Sequence, residues 1–188
     1  CLSGFCGSCE QCLGGHPTLC VGGIVTRAET ATPRLSQKGQ PFRQFIGISS
    51  YAERMLLHEN SVVKIDPELP LDRAALVGCG VLAGVGAALR SSGLQAGQTV
   101  AVFGCGGVGL SIVQGARIGG ATQIIGVDVF DSKLEMAKRV GATHVVNSKN
   151  DDPVKAVRAL TRGAGVDHAF EAVGNTTLVR QAIESLAI

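Results

Sequence analysis

The stretch Thr99-Val100-Ala101-Val102-Phe103-Gly104-Cys105-Gly106-Gly107-Val108-Gly109 decides the fold. Residues 99 to 103 are small, apolar and mostly β-branched, the pattern of a strand covered on both faces. The glycines at 104, 106 and 109 follow as G-x-G-x-x-G. Val108, Ile112, Val113 and Ala116 then recur at helical spacing. A second apolar strand, Gln123 to Val127, ends in Asp128, 19 residues after Gly109. Strand, glycine turn, helix, strand and acid in that order specify a βαβ unit of a parallel sheet.

Each of these positions has a mechanical use in holding a dinucleotide. Gly104 permits the tight turn out of the strand. Gly106 lets the backbone approach a pyrophosphate, and Gly109 lets the helix sit close to the strand. Gly107 and Val108 open that helix, whose free N–H groups and partial positive charge attract phosphate. Asp128 accepts from the ribose hydroxyls and repels a 2′-phosphate, which favours NAD over NADP. Lys133, five residues further on, is in reach of the ribose or adenine side. It reads equally as a solvated helix lysine.

The chain has 188 residues, enough for one large domain or two small ones. Hydrophobic residues make up 45%, so a core can form. A net charge of +2 is too mild for a nucleic-acid or anionic-membrane surface. Aromatics at 4%, with no Trp, leave no stacking platform for single strands. No apolar run has the length of a membrane helix and no signal peptide is visible, so the expected location is cytoplasmic. The first residue is Cys1 rather than Met, which points to a natural start further upstream.

Five of the seven cysteines lie in the first 20 residues. Cys6, Cys9, Cys12 and Cys20 are spaced C-x2-C-x2-C-x7-C. Such short spacings wrap four thiolates around a tetrahedral ion, and a closed thiolate shell leaves no position for water, so this reads as a structural zinc site. The alternatives are oxidised pairs, free thiols or an iron–sulfur cluster, the last at a spacing unlike the common ferredoxin run. Cys1 and His16 read as bystanders.

Residues 22 to 41 read as a surface loop. Phe45-Ile46-Gly47-Ile48, Tyr51 to Leu57 and Val62 to Ile65 read as strands of a small β-rich piece. Asp66 to Pro70 is a turn, and Leu71 opens a helix through Leu76. Cys79, between Gly78 and Gly80, precedes a small-residue helix. By composition it is a buried small hydrophobe, or a point of close ligand approach. Beyond Asp128 the pattern predicts a helix over 131–140 and a strand over 144–146. A helix opened by Asp151-Asp152-Pro153 follows, then a strand and turn over 166–174 and a helix from 175. His58, His144 and His168 have no partner at metal or triad spacing and read as structural.

Together these motifs resemble those of the zinc-containing medium-chain alcohol dehydrogenases. The likeness rests on the four-cysteine run and on Gly78-Cys79-Gly80-Val81-x-Ala83-Gly84-x-Gly86-Ala87. It continues through Gly104-x-Gly106-Gly107-Val108-Gly109 with Asp128 and Lys133, then Gly165-Val166-Asp167 and Phe170-Glu171-Ala172-Val173-Gly174. It implies an α/β fold. Residues 1–83 would be part of a β-rich, GroES-like catalytic domain with a structural-zinc lobe. Residues 84–188 would be the first four strands of a Rossmann-type NAD-binding domain. The resemblance further implies zinc on Cys6, Cys9, Cys12 and Cys20, and Cys79 as a catalytic-zinc ligand. It places NAD against the glycine turn, Asp128, Lys133 and Val173. The activity implied is hydride transfer from a small-molecule alcohol to NAD, giving an aldehyde or ketone. The protein would be a homodimer or homotetramer with no nucleic-acid or membrane partner.

The family places two more catalytic-zinc ligands, a cysteine and a histidine, and a proton-relay hydroxyl before the four-cysteine lobe. It places further Rossmann strands after the fourth. These residues therefore correspond to roughly half of such an enzyme. Ala83 stands where many members carry Thr, a feature similar to members that act on thiol–formaldehyde adducts. The alternative reading is a non-catalytic zinc- and dinucleotide-binding module. A reductase without catalytic zinc is disfavoured by Cys79 and Asp128.

Overall fold

A computed structural model describes residues 4–22, 31–43 and 50–187. The chain divides into two compact units, residues 1–78 and 79–188. The first unit opens with a short helix, α1 (Glu10–Leu13), and a 3-10 turn, Pro17–Leu19. Strands β1 (Leu35–Gln37) and β2 (Gln40–Phe42) pair antiparallel. Lys38 and Gly39 link them with φ of 51° and 78°. Two left-handed residues form the hairpin turn whose twist matches its strands. A second 3-10 turn spans Glu59–Ser61, and α2 spans Leu71–Leu76.

Two sequence expectations are corrected here. A hairpin stands inside the stretch that reads as a loop over 22–41. Conversely, residues 51–57 and 62–65 run without a strand ladder. Val63 is 81% exposed, and among the described residues no strand pairs with this segment, so β-branching alone did not make one. Phe45–Ile48 lies outside the described residues.

Helical turns continue through residue 91, with π-type turns at Val77–Val81 and Ala87–Ser91 flanking α3 (Leu82–Gly86). This run, Leu71–Ser91, has a mean hydropathy of 1.6 and is long and apolar enough to cross a membrane, contrary to the sequence expectation. Its small residues account for another use. Gly84 lies against the backbone of Val108 and Ile112, where any Cβ would collide, and Ala88 is fully buried.

The second unit is a parallel four-stranded sheet with helices on both faces. Its elements alternate: β3 (Thr99–Phe103), α4 (Gly107–Ile118), β4 (Gln123–Asp128), α5 (Asp131–Val140) and β5 (His144–Asn147). Then come α6 (Pro153–Leu160), β6 (His168–Glu171) and α7 (Thr176–Glu184). The strand order is β5-β4-β3-β6, the first four strands of the Rossmann arrangement. Strand alternation feeds two cores. Val100, Val102 and Ile124 pack with Ile112, Val113, Ala116, Leu134 and Ala137 on one face. Ala101, Phe103, Ile125 and Val127 pack with Val157, Val166 and Ala182 on the other. The sheet order reverses direction between β3 and β6, which opens a crevice at the carboxyl ends of the strands.

At the opposite end, Asp167 ties β6 to β3. Its Oδ2 accepts from Thr99 N at 2.8 Å and Thr99 Oγ1 at 2.7 Å. The Thr99 hydroxyl, then the Thr99 amide, hold the Asp167 carboxyl below its ordinary range. A depressed carboxyl stabilises the fold above its unfolded pKa, and that contribution is lost as pH falls through the folded value. Asp167→Asn is therefore expected to destabilise at neutral pH, with the gap to the parent closing as pH drops through the carboxylate range in denaturant titrations. Ile125→Ala, on a fully buried central strand, is expected to cost about 2–5 kcal/mol in the same measurement.

Candidate functional site

The cysteine lobe is built by α1 and the turns on either side of it. The four sulfurs of Cys6, Cys9, Cys12 and Cys20 lie within 4.8 Å of one another. All four are free thiols. Sγ–Sγ distances are 3.5 Å for Cys9–Cys12, 3.9 Å for Cys9–Cys20 and 4.0 Å for Cys6–Cys12. A zinc ion at about 2.3 Å from each sulfur sets a tetrahedron edge of about 3.8 Å, whereas a disulfide needs about 2.05 Å. The lobe thus has the dimensions of a metal site, and oxidised pairs do not fit it.

Backbone amides surround the sulfurs. Cys6 Sγ accepts from Ser8 N at 3.5 Å and Cys9 N at 3.3 Å, and Cys20 Sγ accepts from Cys6 N at 3.2 Å and Gly22 N at 3.4 Å. The Ser8 amide and hydroxyl, with the Cys9 amide, bring the Cys6 thiol down to about 6. The amide of Cys12 leads the groups that lower Cys9, while desolvation raises Cys12 to about 11. A divalent cation deprotonates such thiols as it binds. Gly22 and Asn60 are contributors that the sequence reading missed. A Cβ at Gly22 would strike Cys6 Sγ, and Asn60 Nδ2 donates to Phe5 O at 2.6 Å. Neither residue belongs to a ligand pattern, so spacing carries no signal for them.

The second site lies where β3 meets α4. Gly104 has φ 95°, open to glycine at little cost. A Cβ on Gly109 would collide with Gly104 O, so the first turn of α4 passes directly over the end of β3. Gly106 is the N-cap of α4 and offers no side chain to its amides. By contrast, Asp152 and Asn175 cap α6 and α7 with side-chain oxygens. Gly106, Gly107 and Val108 therefore present an uncapped helix start to an anion.

Asp128 ends β4 beside this turn and is 8% exposed. Its Oδ2 accepts from Cys105 N at 2.8 Å, and its Oδ1 accepts from Val129 N at 2.8 Å and Phe130 N at 3.0 Å. Lys133 Nζ stands 3.9 Å from Oδ2. A carboxylate has about four lone-pair sites, so acceptor capacity remains after three backbone bonds. The structure thus brings together Gly104, Gly106, Gly107, Val108, Gly109, Asp128 and Lys133. Val173 joins them, since its Cγ2 is the atom that a Cβ on Gly104 would meet. Cys105 itself is buried, and burial, with the Asp128 charge, pushes its thiol up to about 12. It remains a packing residue at neutral pH.

Glu171 was not singled out by pattern. Its carboxylate gathers the amides of Val173 at 2.8 Å and Gly174 at 2.9 Å, which fixes the turn that carries Val173. Cys79, read by composition as a buried hydrophobe, is instead exposed, in the π-type turn Val77–Val81. Among the described residues, the only set of three or more that could hold a metal is the four-cysteine group.

Two expected outcomes follow from this geometry. Cys9→Ser should lower zinc bound per chain, measured by elemental analysis, because three thiolates leave the shell open. Gly109→Ala should weaken dinucleotide affinity and stability together, read by titration and by denaturant unfolding, because α4 must lift from β3.

Residues 107–188 match the family described as "Zinc-binding dehydrogenase". The chain is 41% identical over 185 residues to S-(hydroxymethyl)glutathione dehydrogenase of Haemophilus influenzae, covering 96% of this chain and 49% of the relative. It is 37% identical over 190 residues to alcohol dehydrogenase class-3 of Zea mays, covering 98% and 50%. Among solved structures, an alcohol dehydrogenase zinc-binding domain protein from Burkholderia ambifaria matches with a TM-score of 0.87 at 39% identity, over 97% of this chain and 51% of that one. Benzyl alcohol dehydrogenase from Acinetobacter calcoaceticus matches with a TM-score of 0.82 at 34% identity, over 98% and 51%. The chain spans about half the length of the relatives it matches. Residues 107–188 thus resemble the zinc-binding dehydrogenases, and nearly the whole chain is similar to about half of each of these relatives.

Proposed function

We propose that the chain carries the structural-zinc lobe and the NAD-binding half-site of a zinc-dependent alcohol dehydrogenase. The observation that carries this reading is the Cys105 N–H bond to Asp128, which joins the phosphate-facing turn and the ribose-facing acid into one rigid unit. Asp128 would accept from the adenosine ribose, and Lys133 would flank it. Gly106, Gly107 and Val108 would receive the pyrophosphate at the α4 start, and Val173 would bound the nicotinamide side. Glu171 holds Val173 in place through the turn amides.

When bound, NAD supplies a hydride acceptor and zinc a Lewis acid for an alcohol that gives up a hydride from carbon and a proton from oxygen to become an aldehyde or ketone. Cys79 is assigned as one ligand of the catalytic zinc. A catalytic zinc needs three protein ligands, and Cys79 would be one of them. The relatives named S-(hydroxymethyl)glutathione dehydrogenase, together with Ala83, favour a thiol–formaldehyde adduct as substrate. Domains divided near residue 83, a homodimer or homotetramer, a cytoplasmic location and the lack of nucleic-acid and membrane partners complete the proposal.

A second reading is a non-catalytic zinc- and dinucleotide-binding module. The two are separated by incubating the purified, zinc-loaded protein with NAD and a panel of alcohols that includes S-(hydroxymethyl)glutathione. NADH formation supports the dehydrogenase. That outcome overturns the module, and failure to bind NADH rejects both readings. Asp128→Ser is expected to weaken NADH binding by about tenfold through lost ribose hydrogen bonds and to relax discrimination against NADPH. An unchanged preference would remove Asp128 from the site.

A further inference from the structure

We propose that Lys149 is a latent contact for a ribose 2′-phosphate, held unused because Asp128 alone keeps the neighbouring pocket selective for NAD. This rests on the dinucleotide reading above and adds a specificity-determining residue to it. Asp128 pairs in register with Asn147 across β4 and β5. Ser148 N then donates to Asp128 O at 3.0 Å, so the turn after β5 lies beside the acid. Asn147 anchors that turn from both sides. Its Oδ1 accepts from Lys149 N at 3.0 Å, and its Nδ2 donates to Asp131 Oδ1 at 2.6 Å. The Lys149 backbone is thereby tied to the first turn of α5.

Two ammonium groups share one aromatic ring here. Lys149 Nζ lies 4.9 Å from the Phe130 ring centroid, and Lys133 Nζ lies 5.0 Å from it. The Phe130 amide donates to Asp128 Oδ1, and Lys133 Nζ, over the ring, also stands 3.9 Å from Asp128 Oδ2, so ring and carboxylate share one cation. Lys133 has a carboxylate partner in Asp128. Lys149 has none among the ion pairs of the described residues, and the nearby Asp131 is engaged by Asn147. A ribose seated on Asp128 would point its 2′ position toward this rim. A phosphomonoester there, with a charge near −2, would meet two cations once the Asp128 charge is gone.

The test compares dissociation constants for NADH and NADPH, by fluorescence titration of the zinc-loaded protein, in the parent, Lys149→Gln, Asp128→Ser and the double variant. Asp128→Ser should gain affinity for NADPH. Adding Lys149→Gln should then weaken NADPH by about three- to tenfold and leave NADH within about twofold. High salt should shrink the difference. NADPH affinity unmoved by Lys149→Gln, or equal losses for both nucleotides, would overturn the proposal. Should Asp128→Ser fail to fold, Asp128→Asn retains an acceptor for the backbone amides and serves as the background. A parent that binds no NADH rejects the dinucleotide reading itself, whereas NADH binding with an inert Lys149 rejects only this inference.

Discussion

The close approach of α4 to β3 is the constraint on which the nucleotide half of the molecule depends. Gly109 sits where a Cβ would strike Gly104 O, so the helix start is pressed onto the end of the strand. That contact aims uncapped amides into the crevice at the sheet's turning point. Asp128 then locks the arrangement by taking an amide from Cys105 in the turn and two more from its own following residues. A buried carboxylate is costly unless it is well hydrogen-bonded, and here the bonds that satisfy it also set its direction. Binding geometry and fold stability are one set of contacts.

The two units are held together by different physics. Residues 79–188 bury Val, Ile and Phe on both faces of a parallel sheet, and this apolar core accounts for their order. The cysteine lobe has no buried residue in α1 and, among the described residues, belongs to neither hydrophobic cluster. Four sulfurs at zinc-sized separations, ringed by backbone amides, leave the cation as the organising force. Such lobes gain their fold largely from the metal.

Much of this was legible because the relevant signals are local. The strand, turn, helix, strand and acid of residues 99–128 are each specified by neighbours a few positions away, and α5 begins and ends at Asp131 and Val140 as the pattern predicts. The cysteine ligands were legible for the same reason. Contributions from distant or generic residues were not. The hairpin at 35–42 hides in polar residues and is marked only by Lys38-Gly39. Val62 to Ile65 has strand composition but no pairing neighbour among the described residues, and composition cannot report that. Composition alone leaves Cys79 as a core residue or a point of ligand approach, the family resemblance makes it a catalytic-zinc ligand, and the structure finds it exposed. Glu171 and Asn147 act through backbone amides two and three residues away, and no side-chain pattern marks such bonds.

The central claim is that one unit, the Gly104–Gly109 turn with Asp128, receives the dinucleotide. The most direct measurement is an NMR titration of the isotopically labelled, zinc-loaded protein with NADH, following backbone amides. The account predicts that the largest shifts fall on residues 104–109 and 128–130, with the amide of Cys105 among them, while the amides around Cys6 to Cys20 hold still. Shifts that leave the glycine turn and Asp128 unmoved, or no saturable shift at all, would contradict it.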